Sequence, residues 1–331
     1  MAANSTGQTV REDAPSGQDA PSAAGLRGRI PAALRDGVVE GVEQAMRIDS
    51  GRPGPHAVIV AIIHGNETCG LSAIRSVLAE RDAILRGRIT MIAANVAGHA
   101  RRVPGQPQAG RFAEEDMNRL WSAARLAGDG ADTVESRRAR AIAPLCRQAD
   151  LLIDLHSMAT AGPRLLMFHD TPAARALLPA LPHDHHRVRF AHPVHDGRLL
   201  IEQPGLLGEP TRAGFVVECG RHDRPGTDAY ARRITHALLA AAGMLPPPAT
   251  PGGRRPRGRD VIAVEMIRAE SDGFRFLRPP EALQRFDKGE VIAEDGARRI
   301  LAPFAPTYLL LPRLRPRSGG EAGILARDAA A

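Results

Sequence analysis

The chain has 331 residues, 43% of them hydrophobic, and a formal net charge of +7, which is enough apolar material for one large core and a smaller second one. No run of about 18 apolar residues occurs, which excludes a membrane-spanning helix, and an aromatic content of 3% leaves little for base stacking. The cationic residues are almost all arginine, with Lys288 the only lysine; they are spread along the chain apart from "GGRRPRGR" at 252–259, and no zinc-finger or aromatic RNA-binding pattern accompanies them, so nucleic acid is excluded as the expected partner.

In chain order, residues 1–28 are rich in Gly, Ser, Pro and charge and lack the apolar stretch of a signal peptide, so a disordered leader and a cytoplasmic location are expected. "AVIVAII", 57–63, is uniformly apolar, as a strand buried on both faces is; it runs into His64. In "ETCGLSAIRSVLAER", Leu71, Ile74, Val77 and Leu78 recur at helical spacing. "GRITMIAAN" reads as a strand over 88–94, "SRRARAIAPLCRQA" as a helix, "DLLIDLH" as a strand ending at His156, and "RLLMFH" as another. "PHDHHRVRFAHPVHDG", 182–197, crowds five histidines, His183, His185, His186, His192 and His195; its prolines and charges fit a flexible surface loop better than a further metal site. "RAGFVVECG" is a strand ending near Glu218, and "DAYARRITHALLAAAGML" is an amphipathic helix stopped at Gly243.

Strands alternating with helices predict an α/β fold over 29–245, a mostly parallel sheet flanked by helices. A Pro/Gly/Arg linker follows at 246–260. Short strands with turn signals between them then predict a small C-terminal β-rich domain over 261–313, and 314–331 reads as a flexible tail. Cys69, Cys146 and Cys219 show no paired spacing and read as reduced, buried fillers. The oligomeric state is left open, a homo-oligomer included.

Ligands of open α/β sheets collect beyond the carboxyl ends of the strands, and three strands here end in reactive side chains. The first delivers His64 and Glu67, the second His156, the third Glu218. Two histidines and a carboxylate are a usual catalytic zinc set with a fourth position left for water, and a free carboxylate beside them supplies a general base. Each residue alone has a plain alternative, from a strand-end histidine to a carboxylate at a helix N-terminus; their joint occurrence at three strand ends favours the metal. Asp154, two residues before His156, points to the same face and either fixes a ligand histidine or bonds a neighbouring loop. In "GRFAEEDMNRLW", 110–121, Arg111, Asp116, Asn118 and Arg119 gather polar chemistry suited to gripping a carboxylate, or form a solvated arginine-rich loop.

"HGNE", "RFAEEDMNRLW", "DLHS" and "VVECG", in that order, resemble the succinylglutamate desuccinylase and aspartoacylase family, a branch of the zinc carboxypeptidase-like hydrolases. The resemblance covers about 55–245 and, more loosely, the β-rich part. It implies one zinc ion per chain on His64, Glu67 and His156, with Arg111 polarising the scissile carbonyl. It further implies Asn118 and Arg119 gripping a substrate carboxylate, Glu218 as general base and then acid, and Asp116 as a partner for nearby arginines. The expected substrate is a small N-acyl amino acid. The sequence departs from the family where Val96, not proline, follows Asn95. Arg212 is the nearest candidate for a further substrate-gripping arginine, and Tyr308 for a tyrosine supplied by the β-rich domain. Two other readings stand beside the deacylase: a zinc carboxypeptidase acting on short peptides, and a non-catalytic binding protein with metal as scaffold.

Overall fold

Every residue of the strand His56–Ala61 is buried, as a strand covered by helices on both sides must be. The computed structural model describes residues 28–159, 162–222, 224–247 and 258–329. Its strands are β1 (Val38–Val39), β2 (Val42–Glu43), β3 (Ala45–Asp49), β4 (His56–Ala61), β5 (Arg88–Ala93), β6 (Leu151–Met158), β7 (Leu165–His169), β8 (His186–Phe190), β9 (Ala213–Arg221), β10 (Asp260–Arg268), β11 (Phe274–Phe276), β12 (Gln284–Phe286), β13 (Val291–Asp295), β14 (Arg298–Leu301), β15 (Thr307–Leu310) and β16 (Glu321–Asp328).

Eleven strands form one mixed sheet in the order β12-β15-β16-β10-β8-β7-β9-β6-β4-β5-β3. Its centre is parallel: β4 runs with β5 and β6, and β6 with β9. The registers pair Ala61 with Leu155 and His156 with Glu218, so the carboxyl ends of β4, β6 and β9 lie together on one edge. Alternation along β4 divides the core. Ala57, Ile59 and Ala61 join the cluster with Leu71, Ile74 and Val77 of the helix Cys69–Ala79 and Ile234 and Leu238 of the helix Pro225–Ala241. Val58 and Val60 join Ala139, Ile142 and Cys146 of the helix Val134–Arg147 on the other face. Gly243, at φ 70°, follows the last long helix as expected. The three cysteines are buried and unpaired.

Several expectations are corrected. Within the tail expected over 314–331, Glu321–Asp328 is instead a strand paired on both sides, with β10 and β15, because "EAGILA" is a largely apolar run fully buried in the sheet. Nor is 182–197 a flexible surface loop. Its middle is β8, paired with β7 and β10, with Val188 and Phe190 in the core and His185 buried. Through the β8–β10 pairing, β10, β16, β15 and β12 extend the main sheet. β11, β13 and β14 form a separate small sheet, and β1 and β2 pair with each other. The leader up to residue 27 and most of the expected linker, 248–257, lie outside the described residues.

Candidate active site

After β4 the chain passes through Ile62, a β-branched residue at φ 54°. Left-handed backbone at such a residue costs about 1–3 kcal/mol; the surroundings hold it, with Ile62 fully buried and its carbonyl accepting from the amide of Asn95 at 2.9 Å. Gly65 follows where three segments meet: a Cβ there would lie 2.2 Å from the backbone nitrogen of His99 and 2.6 Å from the carbonyl oxygen of Gly110. The Gly65 amide donates to the carbonyl of Arg111 at 2.9 Å, tying the turn that bears His64 to the loop that bears Arg111. Gly70 lets the next helix approach β4; a Cβ would lie 2.8 Å from that of Ala61.

His64, Glu67 and His156 come together. One potential ligand atom from each lies within 4.8 Å of the others, and all three residues are buried. His64 Nδ1 is 3.0 Å from Glu67 Oε1, and His156 Nδ1 is 2.9 Å from Glu67 Oε2. The two rings meet edge-on with centroids 5.0 Å apart. Each Nε2 faces a second carboxylate: His64 Nε2 lies 2.9 Å from Asp116 Oδ1, and His156 Nε2 lies 2.9 Å from Asp154 Oδ2. Carboxylates placed behind ligand imidazoles fix ring orientation and tautomer; Asp154 stands in that position behind His156, and Asp116 lies closer to His64 than to Arg111, 3.6 Å away. The backbone amide of Ser157 donates to Glu67 Oε2 at 3.0 Å, and the Cys69 thiol donates to the carbonyl of His156 at 3.2 Å.

The donor set fits a divalent metal. Glu218 Oε2 is buried with no hydrogen-bond partner, and His64 Nδ1, although 3.0 Å from Glu67 Oε1, makes no well-directed hydrogen bond to it; an unpaired buried polar atom costs about 1–3 kcal/mol unless something fills its place. Two imidazole nitrogens and one carboxylate with an open side match a zinc site that keeps a position for substrate or water.

Electrostatics divide the carboxylates into two kinds. Burial alone would raise Glu67, but the charge of His64 and the bonds to His156 outweigh it and hold the carboxyl well below its usual range. Asp116 is likewise held low against its burial by His64, Arg119 and Arg111. Glu218 goes the other way: burial, with the negative charge of Glu67, pushes it up to about 7, against the pull of His156 and Arg111. One carboxylate is thus poised to exchange a proton near neutrality while its neighbours stay ionised.

Arg111 donates to Glu67 Oε1 at 2.9 Å and lies 2.9 Å from His64 Nε2. Asn118 is buried, its Oδ1 accepting from the amide of Leu200 at 3.0 Å and its Nδ2 3.4 Å from His156. Arg119, expected to grip a substrate carboxylate, instead places Nε 3.0 Å from Glu321 Oε1 and pairs a second nitrogen with Glu321 Oε2. Arg212 precedes β9 by one residue, six before Glu218 and so about 20 Å along the strand from it. Its guanidinium bonds the carbonyls of Arg147 and Gly205, so it is not a site residue. Tyr308 is a core residue of β15, with Arg259 5.6 Å from its ring centroid, and it does not reach the cavity.

Two buried carboxylates escaped the sequence reading. Glu135, in the first turn of its helix, accepts from Asn95 Nδ2 at 3.1 Å and from the amides of Ala113 and Glu114 at 2.5 and 3.1 Å, which fixes the loop between Arg111 and Asp116. Glu321, on β16, accepts from Arg119 and from the amide of Asp196, with His195 Nδ1 3.1 Å away. The apolar run after "GG" at 319–320 is the one signal that points to the strand carrying Glu321. The His64–Glu67–His156 cluster, Arg111, Asn118, Arg119, Glu218 and Glu321 border a cavity of ≈ 620 Å³, lined also by Met158, Met167, Met266, Arg313 and Arg315.

The family model for the succinylglutamate desuccinylase/aspartoacylase catalytic domain matches residues 53–182. A succinylglutamate desuccinylase of Pseudomonas aeruginosa is 26% identical over 317 residues, spanning 87% of this chain and 89% of the relative. Crystal structures of succinylglutamate desuccinylases from Vibrio cholerae and Vibrio parahaemolyticus share the fold, with TM-scores of 0.66 and 0.65 at 17% and 16% identity. Each of these covers 86% of this chain, and 85% and 86% of the solved chains respectively. The succinylglutamate desuccinylase/aspartoacylase catalytic-domain model thus matches the part of this chain that carries His64, Glu67, Arg111 and His156, and the whole chain is similar to these desuccinylases.

Proposed function

We propose that this protein is a zinc-dependent deacylase that hydrolyses the amide bond of a small N-acylated amino acid. The observation that carries the reading is the convergence of His64, Glu67 and His156 within 4.8 Å, beside a buried Glu218 with one unpartnered oxygen. One zinc ion per chain, held by the two histidines and Glu67, supplies Lewis acidity toward water and the scissile carbonyl when bound.

The chain's own groups supply the rest. Glu218, raised to about 7, takes a proton from the attacking water and returns it to the leaving nitrogen, so that the C–N bond breaks as a C–O bond forms and an acid and an amine are released. The Arg111 guanidinium, part exposed to the cavity, donates to the carbonyl oxygen as negative charge grows there. Asp116 and Asp154 keep the imidazoles in register. A cavity of ≈ 620 Å³ lies in the range of small-molecule sites, which favours a small amide over the peptides of the carboxypeptidase reading. Three unpaired cysteines agree with a cytoplasmic location.

The test is a zinc-loaded assay on N-acetyl, N-succinyl and N-formyl amino acids, with metal content measured by plasma emission. Acid release from at least one of them, abolished by a chelator and restored by zinc, is expected. Release of amino acids from dipeptides alone would move the protein to the carboxypeptidases.

A further inference from the structure

The cavity is chemically lopsided beyond the metal-ligand cluster. Its floor is the apolar face of the sheet. Met167 pairs with Val216 across β7 and β9, and Val216 lies two residues before Glu218, on the same face. Met266 pairs with Ile324 across β10 and β16, and Met158 follows His156 by two residues at the end of β6. All five line the cavity.

The cations around it differ in availability. Arg111 is bonded to Glu67, and Arg119 forks onto Glu321. Arg313 places a nitrogen 3.2 Å from Glu321. Arg315 lines the same cavity, is exposed, and has no ion-pair or hydrogen-bond partner among the described residues.

We propose that the substrate carries one carboxylate and one apolar group, with Arg315 receiving the carboxylate and the methionine-lined floor receiving the apolar group. This rests on the deacylase reading and narrows its substrate class. A second carboxylate laid on the floor would lose its water to side chains that offer it no donor. Methionine, unbranched and polarisable, adapts to apolar groups of varied shape.

The test compares N-acetylglycine, N-acetylnorvaline and N-acetylmethionine, and on the acyl side N-hexanoylglycine, with N-succinylglutamate and N-acetylaspartate. Along the apolar series, on one side of the amide, kcat/KM is expected to rise about fourfold per added methylene. The best apolar compound is expected to exceed N-succinylglutamate at least about tenfold. A preference for either acidic compound overturns the proposal. Calorimetric Kd values for the same compounds on the wild-type protein separate the two readings. If nothing turns over yet the apolar ligands bind more tightly, the deacylase reading falls and this proposal stands; tighter binding of the acidic ligands removes the proposal. Arg315→Ala, on an exposed segment, should raise KM about tenfold, with the loss falling on KM rather than kcat and Arg315→Lys recovering part of it. An unchanged KM in Arg315→Ala overturns the carboxylate contact.

Discussion

Replacing Gly65 by alanine adds a single methyl where the structure has no room for one. That carbon would sit 2.2 Å from the His99 nitrogen, 2.5 Å from the Gly98 carbonyl carbon and 2.6 Å from the Gly110 oxygen. All three are backbone atoms, so no side-chain rotation relieves the clash, and the loops must part by about 1 Å to restore ordinary contact distances. Overpacking of this kind costs about 1–3 kcal/mol, and loss of the bond from the Gly65 amide to the Arg111 carbonyl adds about 1 kcal/mol. The functional loss should be larger than the stability loss. The same bond positions Arg111, and misplacing a catalytic group by about 1 Å costs roughly a hundredfold in rate. Urea unfolding and kcat/KM of the zinc-loaded variant measure the two effects separately. If Gly65→Ala keeps the wild-type unfolding midpoint and the wild-type kcat/KM, the close packing assigned to this turn is wrong.

Other expectations follow from the same geometry. Asp154→Asn removes the carboxylate behind His156 and should weaken zinc binding by about 10–100-fold; competition with a chromogenic chelator reads this, and an unchanged affinity denies Asp154 its part. Glu218→Gln should retain zinc while kcat falls by about 10²–10⁴, and wild-type turnover in that variant would end its assignment as base. His185 is buried with both ring nitrogens unpartnered, and burial, with the charge of Arg187, holds it down at about 4 against an ordinary 6.5. The folded state therefore binds fewer protons than the unfolded one between these values, so stability is full above pH 6.5 and is lost as pH falls toward 4. At pH 5 this loss is at most about 2 kcal/mol. His185→Leu should flatten that part of the stability–pH curve measured by urea unfolding, and an unchanged slope between pH 6.5 and 5 counts against it.

The His64–Glu67–His156 cluster was legible because its residues stand at the ends of strands whose apolar runs are unmistakable. "AVIVAII" and "DLLIDLH" announce two buried strands, and parallel pairing brings their carboxyl ends together. The histidines' partners were less visible. Asp154 shows itself by sharing a strand face with His156, but Asp116 reaches His64 across a loop whose path no periodicity describes. The partner of Arg119 was hidden for a related reason. Nothing local reveals that a carboxylate 202 positions away, Glu321, occupies its guanidinium. The histidines of 182–197 concealed β8, because the polar residues that suggest a loop alternate with Val188 and Phe190 on a strand only five residues long.

The pairing of Arg119 with Glu321 also bears on how the enzyme comes into being. His64, Glu67, His156 and Glu218 are all synthesised by residue 218, yet one wall of the cavity waits for a strand made more than a hundred residues later. A nascent chain on the ribosome would thus carry these side chains for some time before Arg119 met Glu321, and the cavity would be complete only once the closing strand had emerged and docked.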